Sequence, residues 1–218
     1  MMQYNKIGRT AFEVKQSMQS MNIYLLRHGE TDWNIEKRFQ GQRDIPLNAN
    51  GISQIEKSAE ILAEMIDGVD HILTSPLCRA QKTAQTAADK LGFDKKNIEM
   101  APLFIERAFG EGEGVAGDDL WDETVIAQFQ GAETLDELCC RAQAALQMTA
   151  KEYSGKNVLV AAHGAILRAV LAAVLGRQFV YEEKKMKLES GCVHWLQYDS
   201  VSWKVYKCDL GEKQWKKI

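Results

Sequence analysis

The chain has 218 residues, 45% hydrophobic and 26% charged, with a formal net charge of −3. That length can bury the core of one α/β domain, or at most of two small ones. The charge balance argues against a nucleic-acid or anionic membrane partner, and no apolar run approaches the roughly 18 residues of a membrane span.

Residues 1–20 are polar and weakly patterned, without the apolar core of a secretory signal. They read as an extension ahead of one domain over residues 21–218. Residues 23–26, Ile-Tyr-Leu-Leu, have the length and composition of a fully buried strand. The chain then changes character at Arg27-His28-Gly29-Glu30-Thr31-Asp32, where Thr31 or Asp32 suits a helix N-cap. Residues 35–48 read as a loop, and apolar positions at helical spacing predict an amphipathic helix over 51–67, ended by Gly68. A short strand at 71–74 leads through Ser75-Pro76-Leu77-Cys78 to Arg79, which opens the next helix. Residues 98–105 form another apolar stretch. A glycine- and acid-rich loop follows; its formal GxGxxG match at 112–117 is a chance one, because Glu111, Glu113, Asp118 and Asp119 would repel a pyrophosphate. It reads instead as a flexible loop beside the site. A short helix within 118–130 and a clearer one over 133–152 precede the second buried strand, 157–162, which ends in His163-Gly164 before another apolar helix. Residues 192–198 and 201–208 read as an antiparallel hairpin that leaves an exposed edge. The lysine-rich tail, 211–218, is expected to be solvated.

The chemistry concentrates where strands end. A buried strand that turns into a helix at Arg27-His28-Gly29 places those side chains at the carboxyl edge of a sheet, where open α/β sheets bind ligands. Gly29 allows a close backbone approach or a positive φ. Neutral imidazole is a nucleophile at pH 7, and an adjacent arginine offers forked donors to phosphate. Arg79 at a helix N-terminus opposes the helix dipole unless an anion binds between them. His163-Gly164 repeats the strand–His-Gly–helix arrangement. His71 and His194 lack a following glycine turn and read as structural. The five cysteines, at positions 78, 139, 140, 192 and 208, lack metal-ligand spacing and point to a reduced, cytoplasmic protein.

Arg27-His28-Gly29-Glu30-Thr31, with Asn34, resembles the signature of the histidine phosphatase (phosphoglycerate mutase-like) superfamily. Gln40-Gly41, the motif from Ser75 to Ala80, Glu106 with Phe109-Gly110 and Glu113-Gly114, and His163-Gly164 resemble its further motifs in the right order. The resemblance covers about residues 22–208. It implies a three-layer α/β fold, with a mostly parallel sheet, helices on both faces and an antiparallel edge strand. It implies His28 as nucleophile; Arg27, Arg79, His163, Asn34 and the Gly164 N–H around the phosphoryl oxygens; Gln40 and Gly41 facing substrate; and Glu106 as proton donor. No metal and no dissociable cofactor are expected, and the implied partner is a small phosphorylated metabolite.

A mutase needs extra cations near its lid. Residues 107–130 hold one base, Arg107, against six acids, and Ala108 stands where the family's mutases usually carry histidine. A phosphatase acting on small phosphomonoesters is therefore the expectation. The alternatives are a phosphoglycerate mutase, a phosphate-binding pseudo-enzyme, and a metallohydrolase using His28, Glu30 and Asp32. Neither the substrate nor the oligomeric state is encoded legibly.

Overall fold

The computed structural model describes residues 20–183, 186–208 and 213–218. Its elements in chain order are β1 (Met21–Arg27), α1 (Asp32–Ile35), α2 (Ala49–Met65), β2 (His71–Thr74), α3 (Cys78–Leu91), β3 (Ile98–Met100), α4 (Glu123–Ile126), α5 (Leu135–Glu152), β4 (Asn157–Ala162), α6 (Gly164–Leu175), β5 (Val193–Tyr198), β6 (Trp203–Cys208) and β7 (Lys216–Lys217). One sheet carries all seven strands in the order β3-β2-β4-β1-β5-β6-β7. β3, β2, β4 and β1 are parallel, and β5, β6 and β7 are successively antiparallel. The expected α/β class, with a mostly parallel sheet and an antiparallel edge, is observed; β7 extends the expected hairpin of β5 and β6 by one strand.

The unbroken apolar runs of β1 and β4 follow from burial on both faces. Alternate residues of a strand point to opposite sides. Ile23, Leu25, Val158, Val160 and Ala162 pack under α5 and α6, while Tyr24, Leu26, Leu159 and Ala161 pack under α2 and α3. β1 and β4 are adjacent, yet the chain leaves β1 over one face toward β2 and leaves β4 over the other toward β5. That divergence opens a crevice at their carboxyl ends. The register Arg27↔Ala162 then sets His28 and His163 side by side, one residue beyond paired positions.

The C-terminal segment departs from expectation. Residues 213–218 are docked: Trp215 packs against Tyr24 and Trp195, with ring centroids 6.1 and 5.3 Å away. Lys216 and Lys217 pair with Lys207 and Tyr206 of β6, covering part of the edge expected to be exposed. One half-buried indole packed on an apolar face outweighs the flanking lysines. The stretch 98–105 is a three-residue strand followed by a 3₁₀ turn at Pro102–Phe104. The extension at 1–19 lies outside the described residues. No helix among the described residues is long and apolar enough to cross a membrane, and none of the five cysteines is in a disulfide.

Candidate active site

Three parallel strands deliver the site to one rim. β1 ends in Arg27 and leads directly to His28, β4 leads to His163, and β2 leads through Ser75 to Arg79 in the first turn of α3. The His28 and His163 rings lie edge to face with centroids 5.2 Å apart. His28, Thr31, Ser75, Arg79, Glu106 and His163 are all buried. Arg27, His28, Asn34, Gln40, Gly41, Arg79, Glu106 and Gly164 border one cavity, with Phe39, Phe109, Leu120 and Trp121 as its apolar wall. The expected residues thus come together, and His163 joins through its contact with His28.

Gly29 is needed for a reason other than a positive φ or a ligand's approach. Its φ is not positive, and a Cβ there would collide with the backbone of Gly51. The two glycines let the first turn of α2 press against the His28 loop. Thr31 caps α1 in a reciprocal box with Asn34, whose Oδ1 accepts from the Thr31 N–H and hydroxyl at 3.0 Å each. That orientation leaves the Asn34 amide nitrogen for the cavity.

The imidazoles are held in defined states. His28 Nδ1 lies 2.7 Å from the Gly29 carbonyl, so Nδ1–H donates there and Nε2 carries the lone pair. Burial, then Arg79 and Arg27, holds the His28 pKa well below 6.5. The same forces, with His28 added, depress His163. A neutral His163 accepting the Ser75 hydroxyl at Nε2, 2.7 Å away, carries its proton on Nδ1. His163 therefore suits a neutral donor. Sequence reading placed Ser75 in a motif but did not reveal this orienting contact.

The cations are short of anions. Arg79 is fully buried, and its two terminal nitrogens donate to the carbonyls of Arg43 and Gly41 at 2.7 Å each. Gly41 thus serves the guanidinium as well as the cavity wall. Arg27 donates to the Leu188 carbonyl. Arg27 Nε, Arg79 Nε and His163 Nδ1 are buried with no hydrogen-bond partner among the described residues. Buried donors of this kind call for an acceptor, and three at one rim suit a multiply charged oxyanion.

Glu106 sits at the start of α6. Its carboxylate accepts from the N–H groups of Ala165 and Ile166 at 3.1 Å each, and from that of Arg107 at 2.9 Å. Arg141 steadies this segment from α5, donating to the carbonyls of Leu103 and Ile105 while pairing with Glu133. Nothing in the local sequence marked that tie, since 35 residues separate Arg141 from Glu106. The neighbouring Arg107 forms a bidentate pair with Glu123, not with Glu106.

The acidic loop expected to be flexible is laced to the segment before it. Phe39 N–H donates to the Val115 carbonyl and Gly114 N–H to that of Phe39, and Glu113 accepts from the Gln42 and Phe109 N–H groups. Glu30 and Asp32, weighed as metal ligands with His28, turn to the Asn48 and Asn50 amides. Among the described residues no group of three His, Cys, Asp or Glu side chains has metal-binding geometry. His71 pairs with Glu99 and packs at a tilt against Tyr153. His194 is buried within β5.

The depressed imidazoles tie stability to pH. The unfolded chain protonates both near 6.5, whereas the folded one resists, so the unfolded state binds more protons in acid. Their contribution is complete above that value and declines as pH falls below it. In phosphate-free buffer the urea midpoint is expected to drop between about pH 7 and pH 5, and to drop less in a His28→Asn/His163→Asn variant. Equal slopes for the two proteins would contradict this reading.

Three parallel strands thus bring two buried histidines, the buried Arg79 and the half-buried Arg27 to one rim, and sequence comparison gives the class its name. The histidine phosphatase superfamily (branch 1) matches residues 23–209, and the chain belongs to it. Among curated relatives, an uncharacterized phosphatase, PhoE, of Bacillus subtilis is 33% identical over 84% of this chain and 91% of its own length. A probable phosphoglycerate mutase, GpmB, of an Enterobacter species is 34% identical over 84% and 87%. Among solved structures, phosphoserine phosphatase of Entamoeba histolytica in complex with 3-phosphoglyceric acid superposes with a TM-score of 0.74, at 22% identity over 89% of this chain and all of that one. At that identity the likeness shows the fold.

Proposed function

We propose that this protein is a phosphatase that hydrolyses small phosphomonoesters through a phosphohistidine at His28. The observation that carries the reading is a neutral imidazole whose Nδ1–H is committed to the Gly29 carbonyl, placed beside the buried Arg79 and the half-buried Arg27. In the first step the Nε2 lone pair attacks phosphorus, the ester P–O bond breaks, and Glu106 gives its proton to the departing alcohol oxygen. In the second step water attacks phosphorus, the N–P bond breaks, and Glu106 takes the proton. Arg27, Arg79, His163 Nδ1–H, Asn34 and the Gly164 N–H spread charge over the phosphoryl oxygens, which is most of what this transfer demands. The chemistry needs no metal ion or cofactor.

Mutase activity is the second reading, because a GpmB relative bears that name. The charge around the cavity disfavours it. Arg38 is paired with Glu36, Arg43 with Glu113 and Arg107 with Glu123, so none of these three is free to meet a substrate carboxylate or second phosphate. Purified protein is expected to release inorganic phosphate from a panel of phosphomonoesters and to leave 3-phosphoglycerate largely unisomerised in the presence of 2,3-bisphosphoglycerate. Efficient interconversion with little phosphate release would overturn the proposal.

A further inference from the structure

Trp121 borders the cavity beside Gly164 and Arg27. A Cβ on Gly164 would come within 3.1 Å of the indole, so the ring lies over the first turn of α6. Arg168 stands one turn further along that helix, on the same face as Gly164, and its side chain reaches back toward the N-terminus. Its guanidinium carbon lies 5.0 Å from the centre of the Trp121 ring and 4.3 Å from that of Tyr181. Arg168 is 5% exposed, and its Nε has no partner among the described residues. Tyr181 belongs to a π-helical turn at Phe179–Glu183 that follows α6. The catalytic steps use neither Arg168 nor Tyr181, yet the buried cation is stacked between two rings, one of them a wall of the active site.

We propose that Arg168 is a positioning residue that clamps Trp121 as the surface against which the alcohol part of the substrate packs, and that it thereby gives the enzyme a preference for aryl over small alkyl phosphomonoesters. The proposal rests on the reading of the cavity as a phosphomonoester site. Around the phosphate cradle the remaining wall is mostly apolar, made of Phe39, Phe109, Leu120, Trp121 and Ala165, with Arg38, which pairs with Glu36, as its charged member. Of these, Phe39 and Phe109 are already packed ring to ring, with centroids 5.0 Å apart. Trp121 lies outside that aromatic cluster, in a connecting segment without helix or strand, and its indole faces the guanidinium of Arg168. An arginine stacked in this way holds an indole more firmly than an aliphatic side chain would, through the ring quadrupole as well as through packing.

The test is binding of two hydrolysis-resistant probes, phenylphosphonate and methylphosphonate, measured by calorimetry. Wild-type protein is expected to bind the phenyl compound about tenfold more tightly, the worth of one good aromatic contact. Arg168→Met should shrink that ratio to about threefold or less, Arg168→Lys should fall between the two, and adding Arg168→Met to Trp121→Ala should lower the ratio no further than Trp121→Ala alone. Methylphosphonate affinity reports whether the phosphate cradle has survived each substitution. Equal affinity of the wild type for both probes would overturn the proposal. So would a ratio unchanged in both Arg168 variants, or equal losses for both probes. A wild type that discriminates between the probes but hydrolyses no phosphomonoester would leave the clamp standing and defeat the catalytic reading instead.

Discussion

Replacing His28 with alanine is expected to lower phosphate release from any accepted substrate by at least about 10⁴-fold, the scale on which loss of a covalent nucleophile is felt. The substitution removes the ring whose Nε2 is left bare by an Nδ1–H bond to the adjacent carbonyl and which stands among the cavity-lining groups. Binding should survive, because Arg27 and Arg79 remain. The variant should therefore bind inorganic phosphate within about an order of magnitude of wild type while turning over almost nothing, a separation that marks an interaction made in the transition state. Residual turnover within about tenfold of wild type would remove His28 from the mechanism.

Arg79→Lys is expected to cost about 10²–10³-fold in kcat/KM, and Arg79→Met about 10³-fold or more, within the range seen when an arginine that stabilises phosphoryl transfer is lost. Two functions are lost together. The guanidinium fork ties the loop carrying Gly41 and Arg43 through two carbonyls, and its buried charge faces the same cavity as His28 and Glu106. Burial opposes that charge, while Glu106 nearby supports it. A lysine brings a point charge but not the fork, so Arg79→Lys should regain part of the phosphate affinity and little of the loop. Limited proteolysis within residues 37–48 would register the second loss. An Arg79→Lys variant with wild-type kcat/KM would show that the fork is dispensable.

What the sequence disclosed follows from where its information is local. The buried runs of β1 and β4, each ending in His-Gly, are contiguous, and their sheet position is dictated by period and composition alone. Arg79 was marked by its place at a helix N-terminus, whereas Glu106 as an expected proton donor came only from the family resemblance, since no local pattern singles it out. What stayed hidden depends on partners distant in the chain. Gly29 faces Gly51, Ser75 orients His163, Glu106 meets Ala165 and Ile166, and Arg168 is stacked between Trp121 and Tyr181. The loop at 110–117 read as mobile because glycines and acids favour solvation, but its backbone bonds to residues 37–39 supply an order that composition conceals. The tail read as solvated for the same reason: its polar positions overshadowed Trp215, whose contacts with Tyr24 and Trp195 decide its place.

The most direct measurement is to mix the protein briefly with a radiolabelled phosphomonoester, quench in alkali and map the label. Covalent transfer predicts a transient phosphoryl group on His28, stable to alkali and lost in acid, decaying at the rate at which phosphate appears. Label on His163 or on a carboxylate, or steady turnover with no labelled protein at any time, would contradict it.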